Sequence, residues 1–176
     1  LAFGVSAVAD LAAAKELEGQ AGWDAAVGNL VLGGAGVDVD FPIVPRGALL
    51  GLRAYAGAAV NTAFVTQDFT SPLPGGKTLT SQDTMDILWN GVPRNWGAAA
   101  GLMGNVAFVD WRLEYRYYTG MFRSSFFDST YERSRSQLVQ EYMTYLDDPT
   151  SLSNGPTVMG VYGEAGFSIL KEKLTL

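Results

Sequence analysis

Between Val109 and Tyr118 the chain alternates without a break, and that alternation limits what the segment can become. Side chains on a β-strand point to opposite faces with a period of two. Val109, Trp111, Leu113, Tyr115 and Tyr117 therefore share one face, while Asp110, Arg112, Glu114 and Arg116 share the other. One face is aromatic and aliphatic; the other carries four charges of alternating sign. A strand half-buried in a soluble sandwich also alternates, but seldom opposes so much aromatic surface to so much charge. The pattern fits a sheet with hydrocarbon on one side and water on the other.

Composition sharpens this choice. Hydrophobic residues make up 48% of the 176-residue chain and charged residues 17%, below the roughly 25% of ordinary soluble domains. Yet no run approaches the ~20 consecutive apolar residues that a membrane helix needs. An apolar chain without a helical span is left with a soluble all-β core or a barrel that interleaves apolar and polar positions. The length fits a single domain over residues 1–176. Leu1 already lies in a strand-like run and Leu176 in another, so the expectation is a domain incomplete at one or both ends. The absent leader then says nothing about export.

The chain has no cysteine, which excludes disulfides and thiolate metal sites. It has no histidine, the usual general base and commonest metal ligand. Acidic residues outnumber basic ones by 18 to 12, which argues against a nucleic-acid partner.

Alternation recurs along the chain. Residues 1–14 read as a strand, with a helix over 12–18 as the competing reading, followed by a polar turn at 15–20. A second strand is expected from Trp23 to Ile43, with Asp38 and Asp40 opposite Val37, Val39 and Phe41. After a turn at Pro45-Arg46-Gly47, a third strand runs from Ala48 to Val65, with Arg53, Tyr55 and Asn61 opposite an apolar face. Residues 66–95 read as a long loop, Trp96–Met103 as a strand, Gly104-Asn105 as a tight turn, and 107–119 as the strand that holds the unbroken alternation of 109–118. In the 120–156 connection, Leu138, Val139, Tyr142, Tyr145 and Leu146 follow helical spacing and predict an amphipathic helix over about 131–146. Thr157–Leu170 alternates again, Lys171-Glu172-Lys173 reads as a turn, and Leu174–Leu176 as the start of another strand.

From Pro45 onward the connections run short, long, short, long, short. Successive turns of an antiparallel sheet fall at opposite ends, so the long loops gather at one end and the tight turns at the other. With these alternating strands, this asymmetry and aromatic residues near strand ends (Trp23, Phe41, Phe64, Trp96, Tyr117, Tyr118), the chain resembles bacterial outer-membrane β-barrel, porin-like proteins. The pattern covers most of the chain. It departs from those proteins in lacking a terminal strand that closes on an aromatic residue.

The resemblance implies an all-β fold, an antiparallel transmembrane β-barrel or a segment of one, in the bacterial outer membrane. Membrane lipid is then the partner, with a homo-oligomer or a larger membrane assembly as a further one. The residues expected to line its interior are Asp38, Asp40, Arg53, Asp110, Arg112, Glu114, Arg116 and Glu164. Those expected to face lipid are Val109, Trp111, Leu113, Tyr115, Tyr117, Val161, Phe167 and Ile169. The interior charges either set pore selectivity or form a salt-bridge ladder that only braces the wall. Tyr131, Arg133, Arg135 and the helix after them either plug the interior or sit on the rim. Phe122, Phe126 and Phe127 are read first as membrane-boundary aromatics.

No catalytic residue, metal site or cofactor is expected. Asp147-Asp148 and Asp38/Asp40 lack calcium-loop spacing, and Gly33-Gly34-Ala35-Gly36 does not join a strand to a helix as a phosphate cradle does. Three functions fit: a channel or structural component of the outer membrane, a soluble or periplasmic barrel enclosing a small apolar ligand, and a structural subunit of a larger assembly.

Overall fold

The computed structural model describes residues 1–17, 29–47, 49–73, 76–89, 94–124, 126–148 and 157–167. Its frame is one antiparallel six-stranded sheet. In chain order the elements are β1 (Ala2–Asp10), β2 (Leu30–Val44), β3 (Leu50–Val65), β4 (Phe69–Thr70), β5 (Thr78–Leu79), α1 (Ser81–Leu88), β6 (Trp96–Val106), β7 (Val109–Tyr118), α2 (Tyr131–Asp147) and β8 (Val158–Phe167). The large sheet has the order β1-β2-β3-β6-β7-β8, a meander in which every long strand pairs with the next one along the chain. The β4–β5 ribbon stands apart. Among the described strands the sheet is open, with β1 and β8 as its edges, and does not close into a barrel.

Local chemistry sets the boundaries and corrects several expectations. β1 stops at Asp10, not at residue 14, because the Asp10 carboxylate accepts the Ala12 N–H at 2.9 Å and turns the chain. Ala13, Ala14 and Leu17 are then buried around a short 3-10 turn, Lys15–Leu17. β2 begins at Leu30; the expected first part of that strand, including Trp23, lies largely outside the described residues, as do the 171–173 turn and the strand start at 174–176.

The tight turn falls at Ala107-Phe108 rather than Gly104-Asn105. Gly104 sits mid-strand because a Cβ there would collide with the Gly51 carbonyl of β3. Asn105 donates to the Gly47 carbonyl at 3.1 Å, tying the two short turns together. Ala107 takes φ +53°, a left-handed conformation that strains a residue with a Cβ.

The long connections hold structure of their own. Residues 66–95 read as loop, yet contain the β4–β5 ribbon and α1. Thr80 and Asp83 form a reciprocal capping box at the start of α1. The helix expected over 131–146 is α2, and the residues the spacing selects, Leu138, Val139, Tyr142, Tyr145 and Leu146, are all buried in it, together with Tyr131 and Met143. Leu30, Leu32, Ala63 and Val65 at the strand ends pack with Phe69, Leu79, Ile87, Phe126 and the inner face of α2. The principal core cluster therefore sits at the long-loop end rather than between two sheets.

Lys77 fastens this module. Its ammonium reaches the Asp83 carboxylate and donates to the Leu146 carbonyl at 3.1 Å, joining β5, α1 and the end of α2. Burial alone would raise the Asp83 carboxyl, but Lys77 and the Thr80 N–H and hydroxyl outweigh it and hold the group below the usual carboxylate range. A depressed carboxyl stabilises the fold above its ordinary pKa and stops doing so as pH falls through the lowered one.

Two outcomes are expected. Acidification below about pH 4 should loosen the loop module, seen as proteolytic cleavage within 66–95, and Lys77→Met should remove most of that pH dependence. Ala107→Gly should stabilise the fold by about 1 kcal/mol in denaturant titrations by relieving the left-handed alanine.

Candidate functional site

Strand register brings distant residues together on one face. Antiparallel partners point the same way, so paired positions can be followed across the sheet. One cross-strand row contains Ala2, Asp40, Tyr55, Gly101, Glu114 and Tyr162. The next row toward the short turns contains Pro42, Arg53, Met103, Arg112 and Glu164, and the one beyond it Gly51, Asn105, Asp110 and Gly166. Toward the loops, Gly4, Asp38, Gly57, Ala99, Arg116 and Gly160 form a row. All eight residues expected to share the polar side lie in these four adjacent rows, on one face of one sheet.

Glu114 is the centre of this belt and is only 3% exposed. Its Oε2 accepts the Tyr55 hydroxyl at 2.6 Å and Arg112 Nη2, and its Oε1 accepts Arg116 Nε. Arg112 Nε donates to the Tyr55 hydroxyl at 2.7 Å. Tyr55 reaches Glu114 across an entire strand because the residue between them is Gly101; a Cβ there would lie 2.8 Å from the Tyr55 oxygen. The Arg116 guanidinium stacks over the Tyr162 ring at 4.3 Å, carrying the network to β8. Hydrogen bonds and ring contacts thus join β3, β7 and β8 over the glycine of β6. Nearer the turns, Arg53 pairs with Asp40 at 3.1 Å and Arg46 with Asp110 at 3.2 Å.

Tyr55, Gly101 and Tyr162 were not among the expected site residues. Their signal was parity: each shares a face with the charges on its own strand or the paired one.

Three depressions of about 440, 480 and 320 Å³, adjoining through shared lining residues, open along the charged side of the sheet. The floor of the one of about 480 Å³ is made of small residues: Ser6, Gly36, Gly57, Ala59 and Ala99 leave space that larger side chains would fill. At the loop end the segment after β7 folds over this same face. Arg123 N–H donates to Asn61 Oδ1 at 3.0 Å, Met121 N–H to Asn95 Oδ1 at 2.9 Å, and Phe122 lies on Gly97. Phe126 is buried against Tyr131 and Tyr142, and so is a core residue rather than a boundary aromatic. The Tyr131 hydroxyl donates to Asp10 Oδ2 at 2.7 Å, and Arg135 lies 3.7 Å from the same oxygen. Burial and this acceptor push the Tyr131 hydroxyl above its usual pKa.

The opposite face has different chemistry. Its rows include Phe3, Val39, Ala56, Ala100, Tyr115 and Val161, and beside it Val5, Val37, Ala58, Ala98, Tyr117 and Met159. Val109, Trp111, Leu113 and Phe167 belong to it as well; Ile169 lies outside the described residues. No paired position on this face carries a charge. It is also uncovered: Val5 is 70% exposed, Val161 72% and Phe167 71%. Trp96 stacks on Tyr117 at the loop end, and Phe108 on Phe167 at the turn end, at centroid distances of 5.4 and 6.4 Å.

Among the described residues, no three His, Cys, Asp or Glu side chains gather into a group that could hold a metal ion, and no helix is long and apolar enough to cross a membrane. No protein-family model matches the chain, and no curated protein or solved structure matches it.

The central network makes a specific demand. Glu114→Ala strands two guanidiniums that are each about one-third exposed, so the loss should be about 2–3 kcal/mol, at or below the low end for buried pairs. Tyr55→Phe should cost about 1–2 kcal/mol. In a double-mutant cycle the two losses should fall well short of additive, because they break one network.

Proposed function

We propose that this chain is wall of an integral outer-membrane β-barrel, a channel or structural membrane component, with its charged face turned to an aqueous interior and its apolar face to lipid. One observation carries the reading: an uncharged and largely exposed apolar face runs across all six long strands. Soluble monomers rarely expose apolar patches beyond roughly 300–600 Å². Backbone pairing satisfies the amides of the inner strands, as a lipid environment requires.

Dimensions support the same reading. The long strands have 9 to 16 residues, and crossing a bilayer at a tilt of about 45° takes about 9–11. Aromatic pairs at the loop and turn ends bracket a zone of Ala, Val and Leu, as at the two edges of an apolar band. The short turns gather at one end and the helical module at the other. In this reading β1 and β8 pair with further strands, since an open edge is untenable in hydrocarbon. Lipid is the partner, the setting is the bacterial outer membrane, and the protein has no catalytic role.

Enclosing a small apolar ligand would bury the aromatic face, whereas Val5, Val161 and Phe167 on that face are 70%, 72% and 71% exposed. A subunit packed through its apolar face against other copies would hide the same surface from water by another route.

Substitution separates these cases. Leu113→Arg, on the apolar face, should cost about 2–4 kcal/mol in vesicle-based unfolding, whereas Gly160→Asp, in open space opposite Arg116, should change stability by less than about 0.5 kcal/mol. A chain that folds without detergent or lipid and tolerates Leu113→Arg would contradict the membrane reading.

A further inference from the structure

We infer that the charged face, as the wall of an aqueous pore, selects small hydrated cations, and that Asp38 and Glu164, rather than the arginines, set that preference. The inference deepens the membrane-wall reading and rests on it.

Most charges of the belt neutralise one another in place. Asp40 is held by Arg53, Asp110 by Arg46, and Asp10 by Tyr131 and Arg135. Glu114 engages both Arg112 and Arg116. Neither guanidinium is free to meet a solute: Arg112 also donates to the Tyr55 hydroxyl, and Arg116 lies against the Tyr162 ring. A locked ion pair presents a dipole, whose field falls off faster than that of a single charge.

Two carboxylates escape this cancellation. Asp38 lies over Gly4 and Glu164 accepts only the Tyr162 hydroxyl, at 2.9 Å; neither has a cationic partner among the described residues. They stand on β2 and β8, with β3, β6 and β7 between them. Each lines a different depression, Asp38 the one of about 480 Å³ and Glu164 the one of about 440 Å³. The two depressions join at Met103 and Arg112. A solute moving between these two depressions therefore meets, in each, a carboxylate that makes no ion pair among the described residues, and in the one of about 480 Å³ the floor is Gly36, Gly57, Ala59 and Ala99. Low-dielectric walls focus the field of such charges and raise the local concentration of counter-ions. Carboxylates placed along a pore wall select cations in this way.

The test is planar-bilayer recording of the full-length native protein under a potassium chloride gradient. The parent should favour potassium over chloride. Asp38→Asn and Glu164→Gln should each lower that permeability ratio, and together they should lower it at least about twofold. Asp86→Asn, which removes an exposed carboxylate from α1 in the loop module, should leave it unchanged. Circular dichroism in detergent establishes that each variant is folded. A conducting protein whose reversal potential ignores the double substitution, or shifts as much with Asp86→Asn, overturns this inference and leaves the barrel reading standing. A folded protein that never conducts overturns the channel and the inference together.

Discussion

The arrangement depends on one constraint: in a paired antiparallel sheet, every side chain on a given row must point the same way. Once β7 places Glu114 and Leu113 on opposite faces, register decides the orientation of Tyr162 and Gly163 on β8, and of Gly101 and Leu102 on β6. A one-residue slip would push Arg112 and Arg116 into the apolar face and bring Trp111 and Tyr115 among the charges. The Glu114 network and the uncharged face are thus two consequences of one register. The network also reinforces that register, because Tyr55 can reach Glu114 only while Gly101 stands between them.

The two ends of the sheet solve different problems. At the short-turn end, two turns are bound to each other through Asn105 and the Gly47 carbonyl, and through Ala107 N–H and the Leu49 carbonyl. At the other end the long connections build a compact module with a conventional buried core of Leu, Ile, Val and Tyr. That core rests on the charged side of the sheet, through Leu32 and Ala63, while the uncharged side stays open. A chain organised around water-driven burial alone would cover its largest apolar surface first. Here that surface is left uncovered.

Much of this was legible in the sequence because period-two and period-3.6 patterns are direct images of geometry. The faces of β7, β3 and β8 and the buried side of α2 follow from residue type and spacing. What failed to show had identifiable causes. Gly104 resembled a turn because glycine marks both turns and close strand approach, and only the Gly51 carbonyl opposite distinguishes the two. The eight residues of α1 were hidden in a Pro- and Gly-rich stretch, although Thr80 three positions before Asp83 is a capping-box spacing. The early end of β1 depends on one Asp10 hydrogen bond that alternation cannot reveal. The charged belt was expected residue by residue, but the pairing within it was not. Which carboxylate meets which guanidinium depends on register across β2, β3, β6, β7 and β8, which no single strand contains.

The central claim is that the two faces meet different media, and spin labelling along β7 measures this directly. The chain has no cysteine, so single cysteines at successive positions from 109 to 117 can each carry a label without background. In lipid, the account predicts oxygen accessibility that peaks at positions 109, 111, 113, 115 and 117, and accessibility to a water-soluble nickel complex that peaks at 110, 112, 114 and 116. Oxygen peaks at the even positions, or nickel access on both faces, would contradict it.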